Sequence, residues 1–554
     1  MVEKYDVVIV GAGVGGSAAA YYLAKKGYNV IVLEKAHVPG QRNVTGGVIY
    51  TSYIEGYGLK DLIPDFSSEA PLERRITRYR LWALSKPAKI DGEYKYRFLD
   101  LSETFLDRFI HGEAGRWEGY SVLRAKFDKW LAVKVIEAGG VVVTDATVEG
   151  LIREGGRVVG VRTYKEEVYG DIVIDASGVT STLVIEAGLR GHLRPDQVYH
   201  GIKHVYELGE SEIESRFNLK KGEGVAIAIM GDFLRGVKGG GFIYTNRNTV
   251  SIGLVIDMKS MLDVLRDKFY EVGKPLDLLE EMESHPAVSK LIEGGRLVEY
   301  SAHNIPKGRS VYLEKPYASG FLAIGDAIGA FVKIGAMIDG MRRAVATGIM
   351  AAKTYEYARS RGKFDEATLS IYRDLLKPIT RDIERYRRES VISESSFLYK
   401  HGYKAALSLL GKTRSFNDSI KQDSRDAIQR IQTRINILRY HENREYVHID
   451  VDYERANMSQ EKLWVSACPM NCYTLVVEGK GVFASFKDLY QYNYSKSANR
   501  DLAMRETLED IRRGKIRFDH VGCVECGTCW FIGPPDIIRF HHQRDGRGVK
   551  FQYG

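Results

Sequence analysis

Gly11, Gly13 and Gly16 restrict the possible folds of this chain more than any other feature. They lie in the run Tyr5-Asp6-Val7-Val8-Ile9-Val10-Gly11-Ala12-Gly13-Val14-Gly15-Gly16. An apolar strand pattern leads into them, and a small-residue helix pattern from Ser17 to Lys26 leads out. At such a junction the first glycine permits a tight turn, the second lets backbone approach a pyrophosphate, and the third lets helix and strand pack closely. The helix start adds free N–H donors and the positive end of its dipole. Asn29 to Leu33 reads as a second strand, and Glu34 follows it 18 residues beyond Gly16, placed to accept hydrogen bonds from ribose hydroxyls. Strand, turn, helix, second strand and acidic residue together predict an α/β dinucleotide-binding unit rather than a glycine-rich structural turn.

A later segment narrows the dinucleotide. Phe321-Leu322-Ala323-Ile324-Gly325-Asp326-Ala327 is a strand ending in Gly-Asp-Ala before a small-residue helix. It resembles the second FAD motif of the glutathione-reductase-type flavoproteins, whose aspartate holds the ribityl part of FAD. Asp175-Ala176-Ser177-Gly178 ends another strand and resembles the middle motif of that group. The resemblance implies FAD bound by Gly178, Gly325 and Asp326 as well as by Gly11, Gly13, Gly16 and Glu34. No second G-x-G-x-x-G occurs in a strand–helix context, so no NAD(P)H domain is expected and electrons must arrive from elsewhere.

The 554 residues suffice for two to four structural units. Tyr199 to Leu208, Val225 to Met230, Gly241 to Thr245 and Val250 to Val255 follow one another without helices, which predicts an antiparallel sheet. Residues 341–440 read as almost wholly helical, with i,i+4 charge pairs such as those in Arg381 to Arg388. Short strands, turns and cysteines follow from about His441. The net charge of +8 comes without a basic tail or nucleic-acid module, so anionic lipid or an acidic protein is the expected partner class and nucleic acid is not. Met1 to Asp6 runs straight into a strand pattern, so no secretory signal is expected. No segment approaches the roughly 18 apolar residues of a spanning helix.

All five cysteines fall between Cys468 and Cys529. A disulfide framework or redox dithiol in the first 467 residues is thereby excluded. Cys523-x2-Cys526-x2-Cys529, with Cys468-Pro469 upstream, supplies four thiolates, enough for one [4Fe-4S] cluster. Structural zinc usually pairs two C-x2–4-C units, and only one C-x2-C-type run is present. Cys472 is spare and reads as a small buried hydrophobe.

Several segments now resemble one family. Asn43-Val44-Thr45-Gly46-Gly47, Tyr120-Ser121-Val122-Leu123-Arg124, Gly239 to Asn246, His285-Pro286-Ala287-Val288 and Glu299 to His303 resemble FixC flavoproteins and electron-transfer flavoprotein:quinone oxidoreductases. Ala467-Cys468-Pro469, Gly522 to Cys529 and Phe551-Gln552-Tyr553-Gly554 resemble the companion FixX ferredoxin-like proteins. The resemblance adds Gly46, Gly47 and Arg124 to the FAD site. It implies a glutathione-reductase-type, Rossmann-like FAD domain over 1–200 and 310–360, and an antiparallel-sheet quinone and membrane-contact domain over 200–310. A helical region over 361–440 and a ferredoxin-like [4Fe-4S] domain over 441–554 complete an α/β plus α+β fold.

The implied activity is electron transfer from reduced electron-transfer flavoprotein to a membrane quinone, by a peripheral, monotopic protein at the cytoplasmic face of the membrane. Val225 to Leu234 and Phe331 to Ile338 are the expected membrane patch, edged by Arg235 and Lys238. His303, Tyr300 and Arg342 are polar groups near flavin-side segments; no catalytic acid is assigned. Two other readings stand beside this one. Geranylgeranyl-reductase-like flavoproteins share the FAD core and saturate isoprenoids, and the chain would also suit an electron-carrying subunit of a bifurcating complex. The stretch from about Gly479 to Lys515 departs from the FixX-like pattern and is expected to be a solvated insertion.

Overall fold

The computed structural model describes residues 4–44, 47–90, 93–103, 117–334, 337–393, 402–416, 423–441 and 445–554. Val-rich runs build a parallel sheet in which Phe321–Ala323, Glu167–Asp175, Lys4–Val10, Val30–Leu33 and Val141–Val143 lie side by side. Helices cover such a sheet on both faces, so its strands read as continuous apolar runs; Val7, Val8, Ile9, Val30, Val32 and Ile172 to Ile174 are all fully buried. The helix Val14–Lys25 packs against the long helix Met341–Ser360. Their backbones nearly touch: a Cβ on Gly348 would lie 2.4 Å from the Gly15 carbonyl oxygen.

A second, larger sheet follows the order Arg296–Pro306, Val198–Glu207, Thr249–Asp257, Gly239–Thr245, Glu223–Gly231, Arg75–Leu84, Glu93–Asp100 and Lys412–Phe416. The predicted antiparallel strands are there, but three features differ from the sequence reading. Strands from the first 200 residues, Val48–Tyr50, Arg75–Leu84, Glu93–Asp100 and Gly119–Ser121, belong to this sheet and not to the dinucleotide-binding sheet. Arg75–Leu84 pairs parallel with Glu223–Gly231. Lys412–Phe416, inside the stretch expected to be helical, is an edge strand on Glu93–Asp100.

Val225–Leu234, expected as membrane patch, is core. Val225, Ile227, Ile229, Phe233 and Leu234 are buried beneath the helices Met258–Asp267 and Pro275–Ser284. Phe331 and Val332 of the other expected patch are also buried, while Gly335 and Ala336 lie outside the described residues. No helix among the described residues is long and apolar enough to cross a membrane.

The C-terminal part is built from small two- and three-stranded sheets and short helices. The segment expected as a solvated insertion is an ordered helical pair, Phe486–Ser497 and Arg500–Arg513. Lys480 braces it with ion pairs of 2.6 Å to both Glu506 and Asp510. Phe486 and Tyr490 contact Phe269, which ties the pair to the second sheet's helices. The sequence reading took its Tyr and charge content as solvated, because the partner surface that buries Phe486, Leu489 and Ile511 is not visible in sequence.

A stringent test of the packing of the first helix on its strand is Gly16, where a Cβ would lie 2.0 Å from the Gly11 carbonyl oxygen. Backbone cannot yield as a flexible side chain does, so Gly16→Val is expected to cost about 1–3 kcal/mol, read as a lowered denaturant midpoint with an unchanged m-value.

Candidate functional site

The C-terminal ends of Lys4–Val10, Val30–Leu33, Glu167–Asp175 and Phe321–Ala323 open into one deep cleft. Ligands of open α/β sheets bind at these strand ends. Gly11 and Gly13 line the cleft beside the start of the helix Val14–Lys25. Gly16 does not face it; its role is the close packing just described. Glu34 closes one end, where its two oxygens accept from the Ala12 N–H (2.8 Å) and the Ala36 N–H (2.9 Å). Burial pushes its carboxyl up, and the two N–H groups partly oppose that.

Gly47, Arg124, Gly178, Gly325 and Asp326 all reach the same cleft; Gly46 lies outside the described residues. Arg124 is clamped by Asp128 through two hydrogen bonds of 2.8 and 2.7 Å, which aims a fixed cation into the cleft. Burial pushes the Asp326 carboxyl up to about 6 despite the charge of Arg124. Between the Gly-Asp-Ala turn and the long helix stands a hairpin, Val332–Ile334 with Met337–Asp339, so the helix facing the cleft begins only at Met341.

Of the three polar groups near the expected flavin side, only His303 lines the cleft. Burial pushes its imidazole down to about 3, so it is neutral at physiological pH. Tyr300 points elsewhere and donates to the Pro469 carbonyl (2.9 Å). Arg342 is buried against Asp339 and the Trp117 ring. Lys203, which no motif singles out, also lines the cleft; its Nζ donates to the Gly554 carbonyl, and burial pushes its ammonium down to about 8.

The second site is a buried cavity in the C-terminal part, lined by all five cysteines. Cys472, read from sequence as a spare, is therefore a wall of the same cavity, in contact with the Cys468 and Cys523 thiols. Polar groups are aimed at the sulfurs. The Glu525 N–H donates to Cys523 Sγ at 3.3 Å, and His448 Nε2 lies 3.3 Å from the same atom. Gln543 donates to His448 Nδ1 at 2.8 Å, which leaves Nε2 as the ring's donor toward sulfur. Thr528 Oγ1 lies 3.3 Å from Cys526 Sγ. Among the described residues no three Cys, His, Asp or Glu side chains converge tightly enough to hold a single metal ion; the thiols instead surround a shared space.

The two sites share a wall. Glu525 stands between Cys523 and Cys526, and its side chain enters the dinucleotide cleft along with His542. There it pairs with Lys35 and Arg42, each at 3.0 Å. Burial alone would push its carboxyl up, but Arg42 and then Lys35 hold it well below the usual carboxylate range. Sequence reasoning missed these C-terminal residues because nothing in a C-x2-C spacing says where its intervening side chains point.

With this geometry in place, the comparisons with known proteins are specific. An FAD dependent oxidoreductase family model matches residues 6–216. The FixC protein of Bradyrhizobium diazoefficiens is 37% identical over 392 residues, covering 70% of this chain and 84% of that protein. FixC of Azotobacter vinelandii is 33% identical over 431 residues, covering 77% of this chain and 93% of that protein. The chain belongs to the FixC family. It is an FAD-dependent oxidoreductase. A solved geranylgeranyl bacteriochlorophyll reductase-like protein from Thermoplasma acidophilum shares the fold, with a TM-score of 0.51 and 21% identity over 74% of this chain and 89% of its own.

Within a FixC-type FAD site, Glu34→Ala removes the acceptor for two backbone N–H groups and for ribose. It is expected to weaken FAD retention at least about tenfold, on the order of 1.4 kcal/mol, measured as flavin per protein after exhaustive dialysis.

Proposed function

We propose that this FixC-family protein transfers electrons from a reduced electron-transfer flavoprotein to a membrane quinone, using FAD in the cleft and a [4Fe-4S] cluster in the cysteine cavity. One observation carries the reading: a single turn, Cys523 to Cys526, lines the thiol cavity with its cysteines and the FAD cleft with Glu525. Cys468, Cys523, Cys526 and Cys529 fit a four-iron cluster, because they are soft ligands around one cavity, three of them buried and Cys523 half-buried, with the Glu525 N–H directed at the Cys523 sulfur. When bound, the cluster supplies one-electron exchange and FAD one- or two-electron exchange, which reconciles single-electron delivery with a two-electron quinone.

The chain's own residues fix the spacing and exclude water. Asn304, next to His303 of the cleft, donates to the Cys526 carbonyl at 2.8 Å, and Trp464 donates to the Cys529 carbonyl at 3.1 Å. The ligand loop is thus held by neighbours on both sides. Access to a lipid-borne quinone calls for an exposed apolar element. The helix Tyr403–Leu410 provides one, with Leu409 83% and Leu410 49% exposed, and it supports peripheral membrane docking in place of the buried strand Val225–Leu234. Leu409→Asp/Leu410→Asp is expected to lower the liposome-bound fraction several-fold in flotation; unchanged binding would remove this helix from the proposal.

The activity test supplies anaerobic holoprotein with reduced electron-transfer flavoprotein and a short-chain quinone, and follows quinol. An isoprenoid diphosphate is run in parallel, because the fold alone is compatible with a geranylgeranyl-reductase-like reaction. Turnover with quinone, reduced at least about a hundredfold in Cys523→Ala with FAD retained, is the expected result. Saturation of the isoprenoid without quinol formation would overturn the proposal.

A further inference from the structure

Lys274 is completely buried, and it belongs to the second-sheet part of the chain while its side chain ends in the cysteine part. Its backbone is fixed as the N-cap of the helix Pro275–Ser284, with Pro275 next in sequence. From there Nζ reaches the loop that carries Cys468 and donates to three carbonyls: Val465 at 2.7 Å, Cys468 at 2.9 Å and Met470 at 2.9 Å. A neutral amine has two N–H groups, whereas an ammonium has three. Three acceptors on one nitrogen therefore describe the charged form. All three contacts are neutral backbone groups. A buried cation with no carboxylate among its contacts is costly unless another anion lies near. Asp277 of its own helix is occupied by Arg430 at 2.6 Å and Lys487 at 3.4 Å, and Asp488 of the helix Phe486–Ser497 accepts from the Ser485 hydroxyl and the Ala427 N–H. Burial pushes the ammonium down, and the Cys468 and Cys472 thiols, then Asp488 and Asp277, oppose that. Cys468 and Met470, whose carbonyls accept from Lys274, both line the thiol cavity.

We infer that Lys274 is a positioning residue that raises the reduction potential of the cluster held by Cys468, Cys523, Cys526 and Cys529, by fixing a positive charge on the Cys468 loop. The inference rests on the proposed cluster. A four-thiolate cluster is anionic and becomes more so when it accepts one electron; no bond at Lys274 forms or breaks in that step. A fixed cation behind a ligand favours the reduced form, because cluster potentials follow local charge, hydrogen bonds and exposure. The same lysine makes the potential a property of the whole chain, since the cation comes from outside the cysteine part. Tyr300 offers an internal control: it bonds the neighbouring Pro469 carbonyl at 2.9 Å but carries no charge.

The test is an anaerobic redox titration of the full-length holoprotein followed by EPR, on native protein and on Lys274→Gln, Lys274→Met, Lys274→Arg and Tyr300→Phe, with iron and acid-labile sulfide assayed in each. Loss of the charge in Lys274→Gln and Lys274→Met is expected to move the equilibrium toward the oxidised cluster at least about tenfold, a fall of ~59 mV for one electron. Lys274→Arg and Tyr300→Phe are expected to stay within about threefold of native, a spacing the one-electron relation makes readily resolvable. An unmoved potential in Lys274→Gln, or an equal fall in Lys274→Arg and Tyr300→Phe, overturns the inference. Should Lys274→Met not fold, the contrast between Gln and Arg decides. Native protein without iron and sulfide overturns the cluster reading itself, an outcome distinct from an iron-loaded variant with a native potential.

Discussion

The carboxylate of Glu525 lies between two cations of the FAD-binding part, Lys35 and Arg42, in a place where its side chain is 2% exposed. Removing one partner of such a buried group strands the others, which typically costs about 3–5 kcal/mol. Lys35 follows the strand Val30–Leu33 and Glu34 directly, and Arg42 lies in the loop beyond, so the carboxylate is referenced to the dinucleotide sheet. Arg42 extends the grip by donating to the carbonyls of Gly546 and Arg547. The turn Cys523 to Cys526 thereby takes its position from the FAD cleft and not from the small sheets around it.

Other contacts repeat this arrangement along the cysteine loops. Lys274, Tyr300 and Asn304 come from the second sheet and its helices, and they satisfy carbonyls of Val465, Cys468, Pro469, Met470 and Cys526. Glu299 accepts the N–H groups of Gln552, Tyr553 and Gly554. Loop backbone buried at an interface must find partners, and here nearly every partner named is a side chain of the other part. A protein proposed to move electrons between two carriers needs their separation fixed, and these bonds fix it without a large sheet or a disulfide.

The dinucleotide unit was legible because its signals are local. Gly11, Gly13, Glu34 and Asp326 each depend on a strand end, and strand ends are marked in sequence by apolar runs meeting glycine or acid. The run Cys523-x2-Cys526-x2-Cys529 is local in the same way, whereas its meeting with Cys468 in one cavity is made by the fold. What was not legible depends on contacts across long sequence separations. Lys412–Phe416 becomes a strand only because Glu93–Asp100 offers an edge, and Val225–Leu234 is apolar because helices cover it and not because lipid does. Cys472 looked spare since spacing alone cannot show that a fifth thiol meets Cys468 and Cys523. Glu525 and Lys274 were silent because charged residues in a loop usually mean solvent.

The central claim is that the thiol cavity beside the FAD cleft holds a four-iron cluster. Its most direct measurement is the cofactor content of anaerobically purified protein together with its EPR spectrum after dithionite reduction. The account predicts iron and acid-labile sulfide in equal amounts, close to four of each per FAD, with a fast-relaxing signal on reduction that is lost in Cys526→Ala. One zinc per chain with neither iron nor sulfide would contradict it, and the FAD site would then stand alone.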